Sequence, residues 1–181
     1  MIRYARFATP LGALFATAAG DALTGLYFEH GRHAPAIDPS WKADPGFAPL
    51  RECARQVGEY LEGARRRFDL PLAPHGTEFQ RRVWVEIARI AFGETLTYAE
   101  LAARACAPGA ARAAGAATGR NPLSIIVPCH RVVGSDGSLT GYAGGIERKT
   151  RLLRLEGALP RQAELIAHGD GASAAATRGA A

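Results

Sequence analysis

The stretch Ile125-Ile126-Val127-Pro128-Cys129-His130-Arg131-Val132-Val133 sets a thiol beside an imidazole at the end of an apolar run. Its β-branched residues read as a buried extended segment. Pro128 has no N–H to give to a ladder, which predicts that pairing stops just before Cys129. A thiol is a strong nucleophile only as its thiolate, and nearby cations and a hydrogen-bonded base are what lower its pKa. His130 and Arg131 are candidates for these two roles. A cysteine following three aliphatics is otherwise a small core residue. Here the imidazole and the guanidinium next to it make Cys129 a candidate nucleophile.

Downstream, Gly134 to Tyr142 is turn-rich, with Asp136-Gly137 as a hairpin signal, and Ile146, Thr150 and Leu153 mark the apolar stripe of a last helix ended by Gly157. Upstream, Thr97 and Glu100 form a capping box that opens a short helix over Tyr98 to Ala105. Pro108-Gly109 then turns the chain into a second helix, Ala110 to Thr118. Two short helices joined by a tight turn predict a helix-turn-helix. The second of them is almost all small residues, which suits tight packing or a helix lying in a DNA groove, and Arg112 is its one long cation before Thr118. Before this pair, Thr77 and Gln80 form another capping box, and Phe79, Val83, Ile87 and Ile90 line one helical face.

The N-terminal part reads differently. Ile2 to Phe7, Leu14 to Ala18 and Leu23 to Phe28 form a β-meander, broken at Thr9-Pro10-Leu11-Gly12 and at Gly20-Asp21. The loop from Gly31 to Gly46, with His30 and His33 at its start, is expected to be exposed, and two loop histidines do not make a metal site. A helix fits Leu50 to Leu61, with Cys53 in its apolar stripe, and Phe68 to Leu72 reads as an edge strand or linker before the break at Pro74-His75-Gly76. The fold class expected is therefore α/β in the α+β sense. It comprises an N-terminal mixed domain over 1–75, with a small antiparallel sheet and a helix, and a helical domain over 76–158 containing the helix-turn-helix. A largely disordered tail is expected over 159–181.

Charge and composition narrow the function. The net charge is +5, and from Arg112 to Arg154 seven Arg or Lys face two acids, so this segment alone carries a surplus as large as the whole chain's. A basic excess around the candidate nucleophile points to a polyanionic partner. Three cysteines without metal-ligand spacing argue against a disulfide framework and a zinc site, so no metal and no cofactor is expected. Arg3 and Arg6 interrupt any leader and no apolar run reaches membrane-spanning length, which predicts a soluble, cytoplasmic protein without a membrane partner.

Pro128-Cys129-His130-Arg131-Val132, with Asn121 eight residues before the cysteine, resembles the active-site signature of the O6-alkylguanine-DNA alkyltransferases. The N-terminal "TPLG", the "FDLPLAP" and "GTEFQRRVW" passages and "GETLTYAELA" are similar to those of bacterial members, so the resemblance runs from about Phe7 to Gly157. It implies single-turnover transfer of a methyl or other alkyl group from guanine O6 in double-stranded DNA, and possibly from thymine O4, onto Cys129. It also implies that the proton passes through water to His130, that Glu156 orients His130, that Asn121 ties the segment together, and that Tyr98 protonates the leaving base. Arg112 would replace the extruded base, Tyr142 and the backbones of Val132 and Ala143 would line the base pocket, and Arg131 is counted with the substrate- and DNA-contacting residues. Ala143 departs from members that have Ser there, and no cysteine-rich N-terminal segment is present, so the small, stand-alone, monomeric form is implied. Two alternatives stay open at this point: a cysteine hydrolase using Cys129, His130 and Glu156, and a non-enzymatic helix-turn-helix regulator.

Overall fold

The computed structural model describes residues 1–159; all but the first residue of the expected tail lies outside them. The meander forms as expected: β1 (Ile2–Phe7) pairs antiparallel with β2 (Leu14–Ala19), and β2 with β3 (Ala22–Phe28). The first turn closes because Thr9 Oγ1 accepts from Leu11 N at 3.1 Å and donates to Gly12 O at 2.6 Å. Gly12 has φ +107, a conformation that side chains rarely adopt, and a Cβ there would lie 2.9 Å from an Arg148 guanidinium nitrogen, which would have to move. The sheet is mixed rather than purely antiparallel. A short β4 (Lys42–Ala43), inside the loop expected to be irregular, lies parallel to β1 at the outer edge.

Helix α1 (Ala48–Leu61) covers the sheet with Leu50, Cys53, Gln56, Val57 and Tyr60, at helical spacing. The free edge of β3 is closed by two single-residue parallel bridges, Leu23 to Leu72 and Leu26 to Leu123. Closing an edge removes unpaired backbone groups. The second bridge matters for the site: Leu26 N donates to Pro122 O at 2.7 Å and Ser124 N to Leu26 O at 2.9 Å, which fastens the segment before Cys129 to the N-terminal sheet.

The helices that follow begin where their capping boxes stand. Both reciprocal bonds form at Thr77/Gln80 for α2 (Glu78–Ala88) and at Thr97/Glu100 for α3 (Tyr98–Arg104); such caps contribute about 1 kcal/mol each. Cys106 (φ 57) and Gly109 (φ +81) turn the chain into α4 (Ala111–Gly119), completing the helix-turn-helix. Ala114, Ala117 and Thr118 face inward and Arg112 outward. Trp84 Nε1 donates to Ala117 O at 2.9 Å and pins α4 to α2.

A two-residue parallel pairing joins β5 (Leu96–Thr97) to β6 (Val132–Val133), and α5 (Ile146–Leu155) packs against the turn at Cys129–Arg131. The inward face of α5 is not the expected stripe. Ile146 is exposed, and Lys149, Leu152, Leu153 and, just beyond the helix, Glu156 are buried. Their i, i+3, i+4, i+7 spacing is that of a core face, but two members carry charge, so hydropathy alone passes over it. No helix among the described residues is long and apolar enough to cross a membrane.

Candidate active site

Ile125, Ile126 and Val127 are buried as expected, at 1, 8 and 5% exposure, yet they do not form a strand. They make a turn with Ile125 at φ 71, a conformation that costs a β-branched residue energy and persists only where surroundings over-determine it. The surroundings here are Asn121 and the β3 bridge. Asn121 Nδ2 donates to Val127 O at 2.8 Å and its Oδ1 accepts from Leu123 N at 3.0 Å, so one side chain supplies the bonds that a neighbouring strand would have given. Val127 N closes the turn on Leu123 O at 2.9 Å. The same Nδ2 reaches Cys129 Sγ at 3.1 Å.

Cys129, His130 and Arg131 form one 3-10 turn, all three buried. Glu156 is the hub on which this turn closes. Its Oε1 takes bonds from His130 Nε2 at 2.9 Å, from Arg131 Nη2 at 2.8 Å and from the Tyr60 hydroxyl; its Oε2 accepts from Arg131 Nε at 2.8 Å and, more weakly, from Gly93 N at 3.4 Å. Burial alone would raise the Glu156 carboxyl, but the His130 and Arg131 hydrogen bonds overcome it and hold the group down to about 2. Glu156 is thus an acceptor only, and His130 Nε2 must carry the proton. Nδ1 is left with its lone pair, buried and without a partner among the described residues.

Burial lowers the His130 pKa, with Arg131 and Lys149 adding to it, against the pull of Glu156, so the imidazole is neutral and acts as a base rather than a cation. The Arg131 guanidinium is 8% exposed and bound to Glu156 and, at 2.5 Å, to Ile90 O, so it is an internal cation of the site. Burial pushes the Cys129 thiol up, and the Asn121 bond and the charge of Lys149 only partly offset it. The resting group is therefore the thiol, which ionises as its proton leaves.

Sequence reading missed two residues of this cluster. Lys149 is fully buried, with Nζ on Val132 O at 2.5 Å and Thr140 O at 2.8 Å, and desolvation brings its ammonium to about 8. Among the described residues no ion pair joins it to a carboxylate, and the negative charge of an ionised Cys129 opposes that fall. Tyr60 comes from α1, where an aromatic in an apolar stripe reads as core.

Tyr98 and Arg112 line a groove of about 450 Å³ between α3, α4 and the Ser135–Gly141 loop, together with Gly115 and Thr140 among others. Tyr98 OH donates to Thr140 O at 3.1 Å, and burial, then the charge of Cys129, raises its pKa. Tyr142 is buried edge-on to His130, with ring centroids 6.4 Å apart, and its hydroxyl has no partner among the described residues. Val132 presents its carbonyl to Lys149, and Ala143 O accepts from Arg32 N at 3.1 Å.

A buried thiol with its own neutral base, set in an α+β fold beside the groove of a helix-turn-helix, defines a class: nucleophilic-cysteine proteins built around a nucleic-acid-binding motif. The sequence matches the DNA binding domain of 6-O-methylguanine DNA methyltransferase over residues 78–158 and the ribonuclease-like domain of the same proteins over residues 2–74. The chain belongs to this family. It is 44% identical over 154 residues to the methylated-DNA--protein-cysteine methyltransferase of Methanosarcina acetivorans, covering 85% of this chain and 97% of that one. Its likeness to that of Mycobacterium tuberculosis is 45% over 156 residues, covering 86% and 93%. The crystal structure of the Mycobacterium tuberculosis protein in complex with DNA superposes with a TM-score of 0.80 at 43% identity, over 86% of this chain and 93% of the other.

Proposed function

We propose that this protein repairs DNA by direct reversal, moving an alkyl group from guanine O6 in a duplex to Cys129, once per molecule. The family membership carries the reaction type, and one observation carries the residue assignment. Cys129 is the buried thiol that takes a side-chain donor, Asn121, on its sulfur and stands next in the chain to His130, whose Nε2 is bound to Glu156. In the proposed step the S–C bond forms as the O6–C bond breaks. The thiol proton passes through a water to His130 Nδ1, the free acceptor, and Glu156 stabilises the imidazolium. The departing guanine takes a proton from Tyr98, and Tyr98 regains one through water from the His130 imidazolium, so overall the thiol hydrogen is exchanged for the alkyl group. The product is a thioether with no carbonyl for water to attack, which is why turnover ends there.

Arg112, exposed on α4 at the groove, is proposed to occupy the space left by the extruded base, with Tyr142, Val132 and Ala143 forming the base pocket. The chain is proposed to divide into domains over 1–75 and 76–158 and to act as a cytoplasmic monomer, testable by sedimentation and cell fractionation. Acceptance of O4-alkylthymine belongs to the same proposal.

The deciding experiment titrates excess duplex carrying one O6-methylguanine against the protein and maps the cysteine peptides by mass. One equivalent of demethylation, with the added methylene on the Cys129 peptide, is expected. Continued turnover, or label on Cys53 or Cys106, overturns the assignment.

A further inference from the structure

Tyr60 stands on α1, yet its side chain ends on the proton-handling pair of the C-terminal half, 70 residues from His130 and 96 from Glu156 in sequence. It is fully buried, with its ring against Phe68 and Phe92 at centroid distances of 5.3 and 6.2 Å. A buried phenol needs a partner for its hydroxyl. This one donates to Glu156 Oε1 and stands 3.4 Å from His130 Nε2.

We propose that Tyr60 is a positioning residue for alkyl transfer: acting through Glu156, it sets how strongly His130 holds a proton, so the N-terminal half takes part in the chemistry. The inference rests on the alkyl-acceptor reading of Cys129. Three donors share Glu156 Oε1. Arg131 is permanently charged, His130 carries the proton that matters, and Tyr60 is the neutral third. Burial and the Glu156 charge raise the Tyr60 pKa, so the phenol stays a donor throughout.

Each further donor withdraws charge from the carboxylate and weakens its pull on Nε2–H. With Tyr60 in place, Glu156 holds the tautomer without keeping the imidazole protonated at rest. The other titratable or charged groups facing His130 are Glu156 and Lys149 from α5 and its end, Arg131 and Cys129 on its own turn, and Tyr142 from the loop before α5. All of these remain in Tyr60→Phe.

The test measures single-turnover reaction of the full chain with free O6-benzylguanine across pH, for wild type and Tyr60→Phe, alongside NMR titration of the His130 imidazole in unreacted protein. Without the hydroxyl, Glu156 favours the imidazolium more strongly. The His130 midpoint and the acid limb of the rate profile should both move up by about one pH unit, with the alkaline plateau largely kept. At a fixed pH on the acid limb the variant should then react roughly tenfold more slowly than wild type. Unmoved profiles, or a loss that is uniform at every pH, would make Tyr60 a packing residue and overturn the proposal. If wild type fails to alkylate Cys129, the alkyl-acceptor reading falls, and the His130 titration still decides the role of Tyr60.

Discussion

Glu156→Gln removes the carboxylate on which the whole cluster closes, and its cost can be worked from the site. The carboxyl is held from its ordinary 4.5 down to about 2 by His130 and Arg131, against the opposing effect of burial. At about 1.36 kcal/mol per pH unit, that difference contributes roughly 3 kcal/mol at neutral pH. The side chain is 0% exposed, so solvent screening takes little from it. The ion pair leads to a similar figure: leaving one partner of a buried pair alone costs about 3–5 kcal/mol, and the substitution strands Arg131. The sign follows from linkage. A folded-state pKa depressed below the unfolded one gives stability that is present above about pH 4.5 and lost as pH falls through about 2. Near pH 3 about 1.4 kcal/mol should remain. His130, whose pKa burial lowers, drains stability from both proteins as pH falls below its ordinary 6.5. Equilibrium urea unfolding at about pH 7 and about pH 3, with Cys129 kept reduced, should therefore show a gap of about 3 kcal/mol that narrows to about half. A variant within about 1 kcal/mol of wild type at neutral pH, or a gap of constant size, would refute the reasoning.

Three other outcomes are expected. Arg112→Ala should slow repair of a methylated duplex and weaken its binding while leaving reaction with free O6-benzylguanine intact, since a free base needs no extrusion; equal damage to both would mean that Arg112 is structural. Lys149→Met removes the one charge that draws the Cys129 thiol downward and both bonds to Val132 O and Thr140 O, so alkylation by a small iodoacetamide probe should slow by about tenfold near neutral pH; an unchanged rate would detach Lys149 from the thiol. The methylated protein should be less stable than the free one by about 1–3 kcal/mol, because a group is added beside His130 in a packed site; equal urea midpoints would contradict it.

Much of the molecule was legible in one dimension because the signals are local. A capping box is a matter of residues three apart, a meander is alternation and turn chemistry, and a helix-turn-helix is two short helices about a Gly-bearing turn; each needs only neighbours in sequence. Cys129-His130 is likewise a short-range pattern, and so the nucleophile and its base stood out, whereas Asn121 was reached through resemblance. Glu156 was reached only through resemblance, since a charged residue after a helix ordinarily lies in solvent.

What tertiary structure alone decided is the electrostatic state of that pattern. Whether His130 is cation or base, and what holds Arg131, depends on desolvation and on partners that arrive from other elements. Tyr60 is brought to His130 from 70 residues away and Lys149 is sealed against Val132 and Thr140. Ile125 is bent out of a strand by the β3 bridge and the Asn121 amide. The sequence by itself determined which groups could react and where the capped helices and the meander lie, because those follow from side-chain chemistry and short-range geometry. The charge each reactive group carries was decided by the fold, because the free energy of a charge depends on everything packed around it.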